Sequence, residues 1–149
     1  MNKEIIEQTD RLLGMEYAVL AKHFIRDRKI DLIASHGQTI SHIDRVKTNQ
    51  IGDPVYLKNT LNVPVVYNLR QADIDSGGNG APLMTFLDWM LFQNKFHDTI
   101  TINIGGVANI SFIPRSGNRI EVIGFDTGPG MALIDECCKI FYNEVIDLH

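Results

Sequence analysis

Apolar and polar positions alternate along the chain in two distinct periods. Up to about Asp27, Ile5, Ile6, Leu13, Tyr17, Leu20 and Phe24 recur mostly three or four residues apart with charges between them, which predicts a helix with one apolar face. Asp31-Leu32-Ile33-Ala34-Ser35-His36 condenses into a short buried-strand pattern that stops at Gly37. From Thr48 to Leu57 no period is clear, and the stretch reads as irregular or short extended structure. Val63-Pro64-Val65-Val66-Tyr67 is β-rich, with its proline suited to a strand start. Gly77-Gly78-Asn79-Gly80-Ala81-Pro82 breaks regular structure, and Pro82 is placed to open the next helix. That helix, Leu83 to about Asn94, is apolar nearly all round, which predicts burial from several sides.

A second block begins near Thr99. Thr99–Ile104 alternates like a strand, turns at Gly105-Gly106 and returns through Ala108–Ile113. Ser116-Gly117-Asn118 signals another turn and Val122–Phe125 a third strand. Asp126-Thr127-Gly128-Pro129-Gly130 then leads into a last helix with Ile134, Cys138, Phe141 and Val145 on one face. The boundary between two α/β blocks is expected between Gln93 and Asp98. The first block offers only two good strands, and parallel sheets are covered on both faces. The pattern therefore reads as a slice through a larger α/β fold.

Composition narrows the class without naming a function. The 149 residues, 44% hydrophobic and 21% charged, fit a soluble globular protein with a formal net charge of −4. Arg26, Arg28 and Lys29 form only a local basic cluster, read as a solvated helix end rather than a nucleic-acid patch. Cys137 and Cys138 are adjacent on a helical pattern, poor geometry for a bridge, and read as buried small apolar residues. The opening MNKEIIEQTD has no apolar signal-peptide core, and no apolar run reaches the ~18 residues of a membrane span. A cytoplasmic protein is the expectation.

Candidate chemistry gathers at three glycine-rich turns. Gly105-Gly106 admits either a plain hairpin or the close approach of a phosphate to backbone N–H groups. Asp126–Gly130 stands before a helix N-terminus, where donors and dipole favour anions; a capping turn explains it equally well. In the third, an aspartate near a strand end precedes glycines that open space, and an ionised aspartate can act as general base. Asp73 and Asp75 both suit that role, and both also suit a turn-capping carboxylate.

The order of these motifs carries a resemblance. Ser35-His36-Gly37-Gln38-Thr39, Arg70-x-x-Asp73-Ile74-x-x-Gly77-Gly78-x-Gly80-Ala81-Pro82, Asn103-Ile104-Gly105-Gly106-Val107-Ala108-Asn109-Ile110-Ser111 and Asp126–Gly130 together resemble the anhydro-N-acetylmuramic acid kinase family, in register from Asp31 to Phe141. The resemblance implies an actin-like ATPase (ribonuclease H-like) α/β fold, incomplete here, with residues 1–96 in a sugar-side lobe and 97–149 opening a nucleotide-side lobe. It implies ATP and Mg²⁺, a small amino-sugar substrate, no nucleic acid and no membrane, with a homodimer or a complementing chain left open. By the same analogy Asp73, not Asp75, is the catalytic base. Ser35, His36, Gly37, Gln38, Thr39, Arg70, Gly77, Gly78, Gly80, Ala81 and Pro82 line the sugar side. Gly105, Gly106, Asn109, Asp126, Thr127, Gly128 and Gly130 serve the nucleotide; the metal ligands are not identified.

Departures from the family pattern are Asn68 for aspartate, Asn79 for glutamine and Met131 for asparagine. The family's amino-terminal phosphate hairpin is not in this sequence, which predicts little catalysis by this chain alone. A non-catalytic sugar- or nucleotide-binding module, or one part of a split kinase, is the alternative.

Overall fold

The computed structural model describes residues 2–143, in two compact units that divide between Gly80 and Ala81. The first unit is organised by helix α1, Lys3–Ile25, whose start is capped by the Asn2 side chain accepting from the Glu4 N–H. Its end is closed by Arg28, which donates to the Phe24 and Ile25 carbonyls and lies over the Phe24 ring. The basic cluster at this point thus includes a helix-end cap.

Strands β1 (Ile33–Ala34) and β4 (Val65–Val66) pair in parallel, a much shorter ladder than the two β-rich runs suggest. Ile33 N–H to Pro64 O and Ser35 N–H to Val66 O extend it by one bond at each end. Between them lie a hairpin and a helix; of these only strand residues 48–51 match the short extended structure expected of that stretch. Strands β2 (Gln38–Ile43) and β3 (Lys47–Ile51) form an antiparallel hairpin with an irregularity between Thr39 and Ser41. Helix α2, Pro54–Leu61, replaces the irregular structure expected there; Asp53 accepts from the Val55 N–H and Pro54 sits in the first turn.

Helix α1 packs on α2 and β3, with Ala18, Ile51 and Leu57 as the buried apolar residues. Gly14 permits the close approach, because a Cβ there would lie 2.9 Å from the Asp53 nitrogen. Asp10 ties the same junction, accepting from the Gly52 N–H at 2.7 Å. Helix α3, Leu69–Asp75, completes the unit and contacts β3.

The second unit is an antiparallel sheet of β5 (Thr99–Ile104), β6 (Val107–Ile113) and β7 (Ile123–Pro129), with helices α4 (Met84–Phe92) and α5 (Met131–Tyr142). Strand β7 is longer than Val122–Phe125: Asp126, Gly128 and Pro129 stay in the ladder, opposite Asn109, Ala108 and Val107. The expected turn before the last helix is therefore mostly strand, and only Gly130 remains as cap. Val145, expected on the helix face, lies outside the described residues.

Helix α4 meets β6 through a polar strip rather than through its apolar bulk. Asp88 accepts from the Thr101 and Ser111 hydroxyls, each at 2.7 Å, and Trp89 Nε1–H donates to the Gly117 carbonyl at 3.0 Å. Phe86, Leu87, Met90, Leu91 and Phe92 are exposed, so the expected burial from several sides is not found within the described residues. The cysteines also depart from expectation: Cys137 is exposed and Cys138 half-buried, because α5 touches the sheet along little of its length. Among the described residues no helix is long and apolar enough to cross a membrane.

Candidate functional site

In the first unit one cluster gathers around the glycine turn that follows α3. Asp73 lies inside this helix rather than at a strand end. Its carbonyl accepts from the Gly78 N–H and its Oδ2 from the Gly80 N–H, both at 2.8 Å. A Cβ on Gly78 would overlap the Asp73 carboxylate, and Gly80, at φ +82°, would place one 2.8 Å from Ile74 and from His42. A side chain at Gly78 would push the Asp73 carboxylate out of its place, and glycine is favoured at Gly80 by its left-handed backbone. Asp75 is exposed and accepts from Gln71 Nε2, away from the turn. Geometry gives different surroundings to the two carboxylates that side-chain chemistry alone leaves equivalent.

Arg70, one helical turn before Asp73, reaches the same turn from the other side. Its Nη1 donates to the Gly80 carbonyl and its Nε to His36 Nε2, both at 2.8 Å. His36 Nδ1 in turn lies 2.8 Å from the Gly37 carbonyl. The β2–β3 hairpin supplies a third hold: Arg45 Nε donates to Asn79 Oδ1 at 2.7 Å, and the Arg45 N–H donates to the Asn79 carbonyl. His42 packs beside Gly80 with its Nδ1 buried and unpartnered, while its Nε2 meets Asp44 at 3.0 Å.

The remaining residues of the first group are less tightly gathered. Ser35 extends the β1–β4 ladder, Gln38 pairs with Ile51, and the Thr39 hydroxyl accepts from Gln50. Gly37 is left-handed against the Ile51 carbonyl, and Gly77 faces open space. Ala81 and Pro82 are joined by a cis peptide bond, and Pro82 precedes the cap residue Leu83 rather than opening the helix.

In the second unit Gly105-Gly106 is the β5–β6 turn. Its two carbonyls accept from the first N–H groups of α5: Met131 to Gly105 at 2.8 Å, Gly130 to Gly106 at 2.9 Å and Ala132 to Gly106 at 3.4 Å. Gly130 has no room for a side chain against the Gly105 carbonyl. The helix-start donors that the sequence offered to an anion are therefore already bonded to this turn. What stands beside the turn is a polar row across three strands, Asn103–Asn109–Asp126. Thr127 donates to the Ala108 carbonyl, and Gly128 is left-handed, with open space around it.

Arg45 and Asp88 escaped the sequence reading. Asp88 carried a usable signal, as the lone charge in an otherwise apolar helix; Arg45 carried none, since its partner is 34 positions away.

Comparison with known proteins converges on one family. The family model described as Anhydro-N-acetylmuramic acid kinase matches residues 6–148. The chain is similar to an anhydro-N-acetylmuramic acid kinase of Clostridioides difficile (strain 630), 43% identical over 124 residues, covering 79% of this chain and 32% of that protein. A Bacillus cereus (strain ATCC 14579) protein of the same name is 34% identical over 157 aligned positions, covering 98% and 40%. One from Shewanella frigidimarina (strain NCIMB 400) is 38% identical over 146, covering 93% and 39%. The chain thus spans 32% to 40% of the length of these relatives. A match over nearly every residue, with the ordered motifs folded as two α/β units, means that the chain belongs to the anhydro-N-acetylmuramic acid kinase family.

Proposed function

We propose that these residues serve ATP-dependent hydrolytic ring opening and 6-phosphorylation of 1,6-anhydro-N-acetylmuramic acid. Asp73 takes a proton from water as the water oxygen bonds to the anomeric carbon. The bond from that carbon to O6 breaks, and O6 takes the γ-phosphoryl group of ATP, releasing ADP. The observation that carries this reading is the fixing of Asp73: Oδ2 is held by the Gly80 N–H at 2.8 Å, which leaves Oδ1 to meet a water. A base held in place before reaction gives up little entropy to reach its substrate.

Arg70, His36 and the Gly77–Pro82 turn form the sugar side in this reading, with Ser35 to Thr39 beside them. Gly105, Gly106, Asn109 and Asp126 to Gly130 form the nucleotide side, in an actin-like architecture with lobes divided near residues 96 and 97. Among the described residues no group of three or more His, Cys, Asp or Glu is placed to hold a metal ion. Mg²⁺ fits nonetheless as a companion of the nucleotide, because it is commonly held by phosphates and one or two carboxylates. Asp126, exposed in the Asn103–Asn109–Asp126 row, is the carboxylate for that role.

Two measurements test the assignment. Where turnover of ATP and the anhydro sugar is present, Asp73→Asn lowers kcat by about 10²–10⁴-fold, the usual worth of a general base, while Asp75→Asn leaves it near wild type. Calorimetry with the anhydro sugar alone finds binding in wild type and in Asp73→Asn, and its loss in Arg70→Ala. Equal effects of the two aspartate substitutions on turnover would remove Asp73 from the role.

A further inference from the structure

Arg70 and His36 fix each other's chemistry. An arginine Nε carries its hydrogen at every pH a folded protein meets, and it can only donate. Its 2.8 Å bond to His36 Nε2 therefore requires a lone pair on that nitrogen. His36 Nδ1 faces the Gly37 carbonyl at 2.8 Å, and a carbonyl oxygen can only accept, so Nδ1 carries the hydrogen. Both ring nitrogens are assigned by their partners: the imidazole is neutral, in its Nδ1–H form.

The same arginine donates through Nη1 to the Gly80 carbonyl, the peptide group next to the N–H that holds Asp73. We infer that His36 is a positioning residue: its neutral Nδ1–H ring orients Arg70 onto the glycine turn, and protonation of the ring opens this latch. A protonated imidazole has two N–H donors and no acceptor, so it cannot receive the Arg70 Nε–H. It would also set a second positive charge against the guanidinium.

Among the described residues, two elements bring charged and titratable groups to the latch. Helix α3 brings Arg70 and Asp73, and the β2–β3 hairpin brings His42 and Arg45, with Asp44 behind His42. None of the bonds found at His36 replaces Arg70 as a partner for Nε2. Two of the five guanidinium donors are spent on the latch, and the orientation of the others follows from it. The inference deepens the sugar-side reading of Arg70 and rests on that reading for its functional consequence; the ring state rests on the two bonds alone.

Nitrogen-15 spectroscopy of the ring tests it on the 149-residue chain. Long-range proton–nitrogen correlation on histidine-labelled protein is expected to show His36 protonated at Nδ1, with Nε2 as an acceptor. In Arg70→Ala the ring shifts toward the Nε2–H form that free neutral histidine prefers. On acidification the Arg70 Nε–H signal loses its protection in the same step in which the His36 ring titrates, resolved from the separate His42 signals. His36→Gln places an amide oxygen near the former Nε2 and keeps the Arg70 signal protected through that step. His36→Leu loses it at every pH and weakens anhydro-sugar binding at least about tenfold, which His36→Gln largely restores. A wild-type ring carrying its hydrogen on Nε2, or an Arg70 signal unchanged in His36→Leu, overturns the inference. An intact latch by spectroscopy with no sugar binding in wild type supports the ring assignment and sinks the sugar-site reading instead.

Discussion

Single side chains in this protein divide into those whose neighbours were visible in the sequence and those whose neighbours were not. Asp73 and Asp75 are two positions apart on a short helix, so they point to different surroundings, and only coordinates show that Asp73 takes the glycine turn. Asp88 is the opposite case. Its partners Thr101 and Ser111 lie 13 and 23 positions away, and Ser111 is only 2% exposed. Removing the carboxylate in Asp88→Ala leaves a buried hydroxyl without its acceptor and should cost about 3 kcal/mol in urea denaturation. Asp88→Asn retains an acceptor oxygen and should cost distinctly less. Equal losses in the two variants would show that packing, not the hydroxyl bonds, holds helix to sheet here.

At the scale of elements, legibility followed contrast between apolar and polar positions. Helix α1 and the β5–β6 hairpin have strong periods and fall where the pattern places them. The β2–β3 hairpin does not, because its strands read Gln-Thr-Ile-Ser-His-Ile and Lys-Thr-Asn-Gln-Ile, polar on both faces. Helix α2 was hidden by its brevity, although Asp53-Pro54 is a sound helix start. The end of β7 departs from its pattern, because Gly128 and Pro129 normally stop a strand; here both stay in the ladder opposite Ala108 and Val107.

The α1–α2 contact yields a prediction whose sign opposes helix propensity. Alanine for glycine inside a helix ordinarily stabilises by roughly 0.5–1 kcal/mol. At Gly14 the new methyl would meet the Asp53 backbone and the Tyr56 ring, so Gly14→Ala should instead destabilise by about 1–3 kcal/mol. A denaturation midpoint that rises in this variant would show that α1 and α2 do not pack as closely as described.

Across the whole molecule, the second unit's sheet is asymmetric in a way that the alternating sequence foretold and the packing leaves in the open. Thr101, Ser111 and Gly124 form one row toward α4, while Ile102–Ile110–Phe125 and Ile100–Phe112–Ile123 form rows of the opposite alternation. Ile100, Ile102, Ile104 and Phe125 are each about half exposed or more, with Ile102 at 66%. A contiguous apolar strip of this kind favours association with other apolar surfaces. In the 149-residue chain, Ile102→Lys should therefore reduce concentration-dependent self-association, read by light scattering. It should change unfolding free energy by no more than about 0.5 kcal/mol, as expected at an exposed position. Ile113, 1% exposed on the same sheet, is the internal control: Ile113→Ala should cost about 2–5 kcal/mol. If Ile102→Lys costs as much as Ile113→Ala, the strip is covered in solution, and the sheet has a second packed face that the exposure of Ile102 denies.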